Sequence, residues 1–116
     1  MVCGGLGGVM EAACRGAKEA GGLTVGILPG TERAAANAFV DVAVPSGLGE
    51  ARNALVVRAA DALIAVGGGY GTLSEIALAL KADKRVVGLG SWEIEGVLAA
   101  ADPAAAVAAV LGDSLT

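Results

Sequence analysis

The fold is decided by residues 62–81, which read ALIAVGGGYGTLSEIALALK. Residues 62–66 are all apolar, which is typical of a parallel strand that is covered on both faces. Four of the five residues at positions 67–71 are glycine, and residues 72–81 have the composition of a helix. A strand, a glycine-rich loop and a helix in this order predict one unit of a parallel α/β sheet.

The same alternation extends in both directions from this unit, and the 116 residues suit a single domain spanning residues 1–116. The predicted strands are Met1–Cys3, Leu23–Leu28, Val40–Val44, Ala62–Val66 and, as the last one, Arg85–Leu89. The predicted helices are Val9–Ala20, which Gly21 and Gly22 end, Glu50–Ala60, Thr72–Lys81, and a final helix that Asp102 and Pro103 start and that ends near Leu111. Residues 31–39 are expected to form a loop or a short helix.

Composition excludes several classes of protein. The longest uncharged run has 13 residues and contains four glycines, whereas a membrane span takes about 18 or more apolar residues. Eight basic and 12 acidic residues give a net charge of −4 without a basic cluster, which argues against binding to duplex nucleic acid. Without histidine, no metal site is expected. Two cysteines, Cys3 and Cys14, and no signal-peptide pattern predict a cytoplasmic chain with buried free thiols.

The glycine loop at 67–71 has the features of a phosphate-binding site. Glycines let the backbone approach a ligand, and the start of the next helix offers unpaired N–H groups with a positive partial charge. No Gly-Lys-Ser/Thr follows, which excludes a P-loop. The third glycine of a dinucleotide fingerprint and the acidic residue after the next strand are also missing, which disfavours NAD.

A second glycine loop, Gly4–Gly8, precedes the predicted helix that carries Met10 and Glu11. Both loops join the carboxyl end of a strand to a helix, so we expect them on one rim of the sheet, where α/β proteins bind ligands. The residues expected to bind the ligand are Gly5, Gly7, Gly8, Gly68, Gly69, Gly71 and Thr72.

Arg52 is the third candidate, because its spacing to Leu55, Val56 and Ala59 places it on the apolar face of a helix, in the first turn. There it could face a phosphate or pair with Glu75, or its long side chain could simply extend from the edge of the core to solvent.

Other readings are also open for the second loop. Thr72 and Glu75 have the spacing of a capping box, which would give them a purely structural role. Tyr70 could be a stacking platform for a ligand or a packing residue of the loop.

Residues 67–75, GGGYGTLSE, resemble the Pro-Gly-Gly-x-Gly-Thr-x-x-Glu signature of a Rossmann-like superfamily. It comprises the Lonely Guy phosphoribohydrolases, also described as a lysine decarboxylase family, and the DNA-processing A-type proteins. The stretches GGLGGVM, LPG and EARN are similar to its branch of molybdenum cofactor carrier proteins. The resemblance covers Val2 to about Ile94 and implies a Rossmann-like three-layer sandwich with a mostly parallel sheet. Members begin with one more βα unit, so the chain is expected to lack the N-terminal unit.

Two functions are implied by this resemblance. The first is carrier-like binding of a phosphorylated nucleotide or pterin, with a nucleoside monophosphate or molybdopterin as the bound ligand and no required cofactor. Gly67 in place of Pro, Ser74 in place of Glu, and Ala51-Arg52-Asn53 in place of Glu-Arg-Lys favour it. The alternative is a phosphoribohydrolase that cleaves the N-glycosidic bond of an N6-modified adenosine monophosphate, with Arg52 and Glu75 as the catalytic pair.

A third possibility, which does not come from the resemblance, is an interaction module that associates through its alanine-rich helices. Family members commonly form dimers, so the resemblance also implies a homo-oligomer, a dimer or larger.

Overall fold

The computed structural model describes residues 1–112. By its internal contacts the chain divides into two compact units, residues 1–60 and residues 61 onward. The prediction of a single domain over residues 1–116 stays a prediction. Each unit is built as an α/β layer, and every strand pairing in both units is parallel.

The first unit contains a three-stranded sheet in the order β1-β2-β3. Its strands are β1 (Val2–Cys3), β2 (Val25–Leu28) and β3 (Val42–Pro45), and its helices are α1 (Val9–Glu19) and α2 (Arg52–Ala59). Short 3-10 turns lie at Arg33–Ala35 and Gly49–Ala51. The first of these occupies part of the segment for which a loop or short helix is predicted.

Helix α1 ends as its sequence predicts. Gly21 has φ +80°, its N–H donates to Lys18 O at 3.0 Å, and the Gly22 N–H donates to Ala17 O at 2.8 Å. These two bonds form a Schellman motif, which satisfies carbonyls that the last turn leaves unpaired.

The second unit contains another three-stranded parallel sheet, in the order β4-β5-β6. Its strands are β4 (Ala62–Val66), β5 (Arg85–Leu89) and β6 (Val97–Ala100), and its helices are α3 (Tyr70–Lys81) and α4 (Pro103–Val110). Val86 and Val87 on the central strand and Ile76 on α3 are fully buried. The Asp102 carboxylate accepts a hydrogen bond of 2.7 Å from the Ala105 N–H, so it caps α4 as predicted.

The prediction that Arg85–Leu89 is the last strand is wrong, because β6 follows it and pairs with it in parallel. Parallel neighbours are usually joined by a dozen or more residues, most often a helix. Here only residues 90–96 join them, and positive φ angles at Gly90 (+57°) and Gly96 (+99°) allow the chain to fold back. Residues 90–96 therefore lack the helical sequence pattern that normally precedes a further parallel strand.

The parallel α/β class and the Rossmann-like fold are confirmed. No helix within residues 1–112 is long and apolar enough to cross a lipid bilayer.

Candidate functional site

The first glycine loop is held against strand β2 by backbone contact. Gly5 has φ +76°, and a Cβ there would lie 2.8 Å from Leu28 Cδ2 and 3.1 Å from Gly26 Cα. Any side chain at position 5 would push the loop off the sheet. Packing within the first unit therefore explains by itself why position 5 is glycine.

Asn37 fixes the same loop from the other side. Its side-chain amide donates to Leu6 O at 2.9 Å and to Gly5 O at 3.4 Å, and its backbone N–H donates to Gly5 O at 2.9 Å. The side-chain oxygen accepts from the Phe39 N–H at 3.0 Å. Asn37 therefore holds the loop carbonyls in place, a positioning role that we did not expect from the sequence.

Arg52, the first residue of α2, lies against the first glycine loop. An added Cβ on Gly4 would be 2.5 Å from Arg52 Nη2 and 2.8 Å from Cζ, so the guanidinium occupies the space that glycine leaves empty. Arg52 Nη1 donates to the side-chain oxygen of the buried Asn53. Arg52 Nε is buried and has no hydrogen-bond partner within residues 1–112.

This arrangement favours an anion beside Gly4. A buried donor without a partner is costly, and the cost is larger on a charged group. A phosphate oxygen at this place would satisfy the donor and complement its charge. The structure thus brings Arg52 together with the first glycine loop, within one unit.

Two thiols lie below the loop. Cys3 Sγ and Cys14 Sγ are 3.6 Å apart, and the Gly5 N–H donates to Cys3 Sγ at 3.3 Å. Both cysteines are free, Cys14 is buried, and Cys3 is half-buried. Burial raises the pKa of the Cys3 thiol above its ordinary value, against the opposing effect of the Gly5 N–H. The prediction of buried free thiols is therefore confirmed for Cys14, whereas Cys3 is free but only half-buried.

The second glycine loop has a different character. A Cβ at Gly68 or at Gly69 would meet no atom within 4 Å, and neither residue has a positive φ, whereas Gly67 has φ +81°. Neither packing nor backbone conformation therefore requires glycine at positions 68 and 69. The missing side chains leave the backbone open to an incoming group.

Helix α3 begins at Tyr70, two residues earlier than predicted, with Gly69 as its N-cap and no side-chain hydrogen bond to the cap. Thr72 is consequently the third residue of the helix and cannot be the capping residue of a Thr72–Glu75 box. The Ser74 hydroxyl donates to Gly71 O at 3.1 Å. Glu75 lies half-buried in the second turn. The capping-box interpretation is wrong, because the N-cap residue of α3 is Gly69, which has no side chain to cap the helix.

Tyr70 packs on Trp92, with ring centroids 6.1 Å apart and planes inclined by 27°. Trp92 Nε1 donates to Gly69 O at 3.1 Å, which ties the loop after β5 to the second glycine loop. Tyr70 itself remains 83% exposed. It is a packing partner of Trp92 and still presents most of its surface to solvent.

Sequence reasoning did not single out Asn37, Ser91 or Trp92. None of them belongs to the glycine motifs, and Ser91 and Trp92 stand in the connection to the strand that was not predicted. The two glycine loops lie in different units, so their convergence on one rim stays a prediction. The same holds for a catalytic pair of Arg52 and Glu75 and for ligand binding by Gly5, Gly7, Gly8, Gly68, Gly69, Gly71 and Thr72.

Parallel strands followed by glycine loops, with a guanidinium against the first of them, define a Rossmann-like protein. The sequence profile of the SLOG cluster4 family matches residues 1–111, and the chain belongs to that family.

Two solved structures are similar to the chain over almost its whole length. The molybdenum cofactor binding protein of Rippkaea orientalis is 39% identical with a TM-score of 0.88, and the match covers 99% of this chain and 77% of that one. The molybdenum cofactor carrier protein of Chlamydomonas reinhardtii is 42% identical with a TM-score of 0.84, covering 99% and 78%.

An uncharacterized protein of Archaeoglobus fulgidus is 55% identical over 89 residues, which are 77% of this chain. The chain spans 58% of the length of that relative.

Proposed function

We propose that this chain binds the molybdenum cofactor, a phosphorylated pterin, and carries it without converting it. Two proteins whose names state molybdenum cofactor binding or carriage match 99% of the chain at 39% and 42% identity. At this level of identity over nearly all residues, the likeness extends beyond the fold and supports a common ligand.

The observation that carries the proposal is the Arg52 guanidinium beside Gly4, with its Nε buried and unpartnered among the described residues. The phosphate of a pterin cofactor offers the oxygens that would satisfy this donor. Asn37 and the Gly5–Gly26 contact hold the loop beside it in one conformation, so little ordering is needed when the ligand binds.

The second unit adds anion-binding chemistry of its own. The N-terminus of α3 has no side-chain cap, and Gly68 and Gly69 leave the backbone before it open. Helix N-termini of this kind bind anions through their free N–H groups and the helix dipole. We assign ligand contacts to Gly68, Gly69, Gly71 and Thr72 on this basis, and to Gly5, Gly7 and Gly8 beside Arg52.

We place this carrier in the cytoplasm, acting on a small phosphorylated ligand and not on duplex nucleic acid, as a dimer or larger assembly. Cytoplasmic placement accords with the free cysteines. A homo-oligomer accords with exposed apolar side chains on α1 and α4, including Val9 and Val107.

Titration calorimetry of the full chain with molybdopterin under anaerobic conditions tests the proposal. We expect saturable binding that Arg52→Gln weakens about 10-fold or more, because a hydrogen bond to a charged group contributes about 1.5–3 kcal/mol. The exposed Arg33→Gln serves as the matched control and should bind like the unmodified chain.

Absence of binding by the unmodified chain, or equal loss in both variants, would overturn the carrier proposal. Release of free base from an N6-substituted adenosine monophosphate, abolished by Glu75→Gln, would instead favour the phosphoribohydrolase.

A further inference from the structure

The segment that joins β5 to β6 borders an open cavity of about 380 Å³ within the second unit. Residues 90–96 fold back beside the sheet, and Gly88 permits this, because a Cβ there would lie 3.0 Å from Val97 Cγ1 and 3.7 Å from Ser91 Cβ. The cavity is lined by Gly88, Ser91, Trp92, Glu93 and Glu95 among others.

Ser91 gives the cavity an unsatisfied polar group. Its Oγ is buried and has no hydrogen-bond partner within residues 1–112. Buried hydroxyls are nearly always hydrogen-bonded in folded proteins, and Ser91 is one of the residues that line the cavity, so a polar group that enters the cavity is a candidate partner.

The charge of the residues that line the cavity limits which ligand groups the cavity can bind. Glu93 and Glu95 place two carboxylates on the cavity, and none of its lining residues is a lysine or an arginine. Carboxylates repel a phosphate but accept hydrogen bonds from a group with adjacent N–H donors. A 2-amino-4-oxopyrimidine edge has such a pair, a ring N–H next to an amino group. Pterins and guanine both carry this edge.

Trp92 joins the cavity to the second glycine loop. Trp92 is one of the lining residues, and its indole donates to Gly69 O at 3.1 Å and is stacked by Tyr70. A rigid aromatic wall suits a flat heteroaromatic ring. The N-terminus of α3 begins at the residue after Gly69, so an anion-binding end and a ring-binding end adjoin in this unit.

We infer that this cavity receives the aminopyrimidine edge of the ligand's ring, recognised by Ser91, Glu93 and Glu95, while the phosphate stays at the second glycine loop of the same unit. The inference rests on the proposed function and extends it by assigning the orientation of the ligand. It also assigns specificity to residues outside both glycine motifs.

The test compares full-length Ser91→Ala and Glu93→Gln/Glu95→Gln with the unmodified chain, and uses the exposed Glu32→Gln as control. Binding of molybdopterin, guanosine monophosphate and ribose 5-phosphate is measured anaerobically, and Tm is measured without ligand. We expect both cavity variants to lose about 10-fold or more in affinity for molybdopterin, with ribose 5-phosphate binding unchanged.

Weaker guanosine monophosphate binding in the cavity variants would show that the cavity also recognises guanine. Guanosine monophosphate binding that the cavity variants leave unchanged would contradict recognition of this edge.

Ser91→Ala should leave Tm unchanged or raise it, because it removes a buried hydroxyl that has no partner. A fall of several degrees would show that the hydroxyl is bonded within the fold, and would overturn the inference. Unmodified affinity for molybdopterin in both cavity variants would overturn it too, while leaving the carrier proposal intact. If the unmodified chain binds no molybdopterin at all, the carrier proposal fails and the inference with it.

Discussion

At the scale of single residues, the contact between Gly4 and Arg52 contributes most to the candidate site. The guanidinium is long, charged and half-buried, and it can lie over the loop only because position 4 has no side chain. Its bond to Asn53 holds Nη1, while Nε is buried and has no hydrogen-bond partner within residues 1–112. Gly4 thus has a role that differs from that of Gly5, which the sheet requires.

Gly4→Ala should weaken ligand binding more than it weakens the fold. The new methyl group would lie 2.5 Å from Arg52 Nη2 and 2.8 Å from Met10 Sδ, and both atoms are at the ends of flexible side chains that can move away. We expect a clear loss of molybdopterin affinity in calorimetry and a change of less than about 1 kcal/mol in the free energy of unfolding. Gly30→Ala, where a Cβ would meet nothing within 4 Å, is the control. Unchanged affinity in Gly4→Ala would mean that the guanidinium position is irrelevant to binding.

Asp41 provides a prediction about pH. The Lys18 ammonium at 2.9 Å and, next, the Thr24 N–H at 3.0 Å lower the pKa of this carboxyl below its ordinary value of 3.8. The ionised form therefore stabilises the fold above pH 3.8, and this contribution disappears as the pH falls through the lower, folded-state value. Asp41→Asn should reduce stability at neutral pH.

Urea unfolding of both proteins at neutral pH and in acid checks this, since the difference between them should shrink in acid. A difference in the free energy of unfolding that stays constant down to the acid limit would show that the charge of Asp41 is not what stabilises this contact.

Residue roles could be predicted from the sequence only where a local pattern carries them. Arg52 was singled out as a candidate because a charged residue on the apolar face of a helix is unusual. Asn37 and Ser91 have no such signal, since their importance comes from loop carbonyls and a cavity that exist only after folding. The alternative reading of Thr72 and Glu75 failed for a related reason: the spacing of a capping box is local, but the helix starts three residues earlier than the box requires.

At the scale of elements, helix termini carry the clearest sequence signals. Gly21–Gly22 and Asp102–Pro103 were assigned correctly because each relies on the conformational preference or hydrogen bond of one residue. Strands β4 and β5 have the predicted bounds, since each is an apolar run bounded by charged residues or glycine. Strand β6 was missed because the connection before it has no helix, so nothing in the pattern separated it from a loop.

The cap of α4 can be measured directly. Asp102→Ala removes the acceptor of the Ala105 N–H and should cost about 1 kcal/mol in the free energy of unfolding. Asp102→Asn keeps an oxygen at this place and should cost only a small part of that amount. Equal losses in the two variants by urea unfolding would indicate that the negative charge, and not the hydrogen bond, stabilises the helix.

At the scale of the whole molecule, the alternation of strands and helices was sufficient to predict the parallel α/β class, and the glycine motifs were sufficient to predict the family. Convergence of the two glycine loops on one ligand is a statement about two units, and it stays a prediction. Binding of an intact phosphorylated pterin by the whole chain is the central claim, and the observation that supports it is the buried Nε of the Arg52 guanidinium.

Anaerobic equilibrium dialysis of the full chain against molybdopterin, followed by recovery of the pterin and analysis of its chemical form, tests that claim most directly. We expect saturable binding of molybdopterin, recovery of the pterin unchanged, and a loss of affinity of about 10-fold or more in Arg52→Gln. Non-saturable uptake by the unmodified chain, or recovery of a converted pterin, would contradict it.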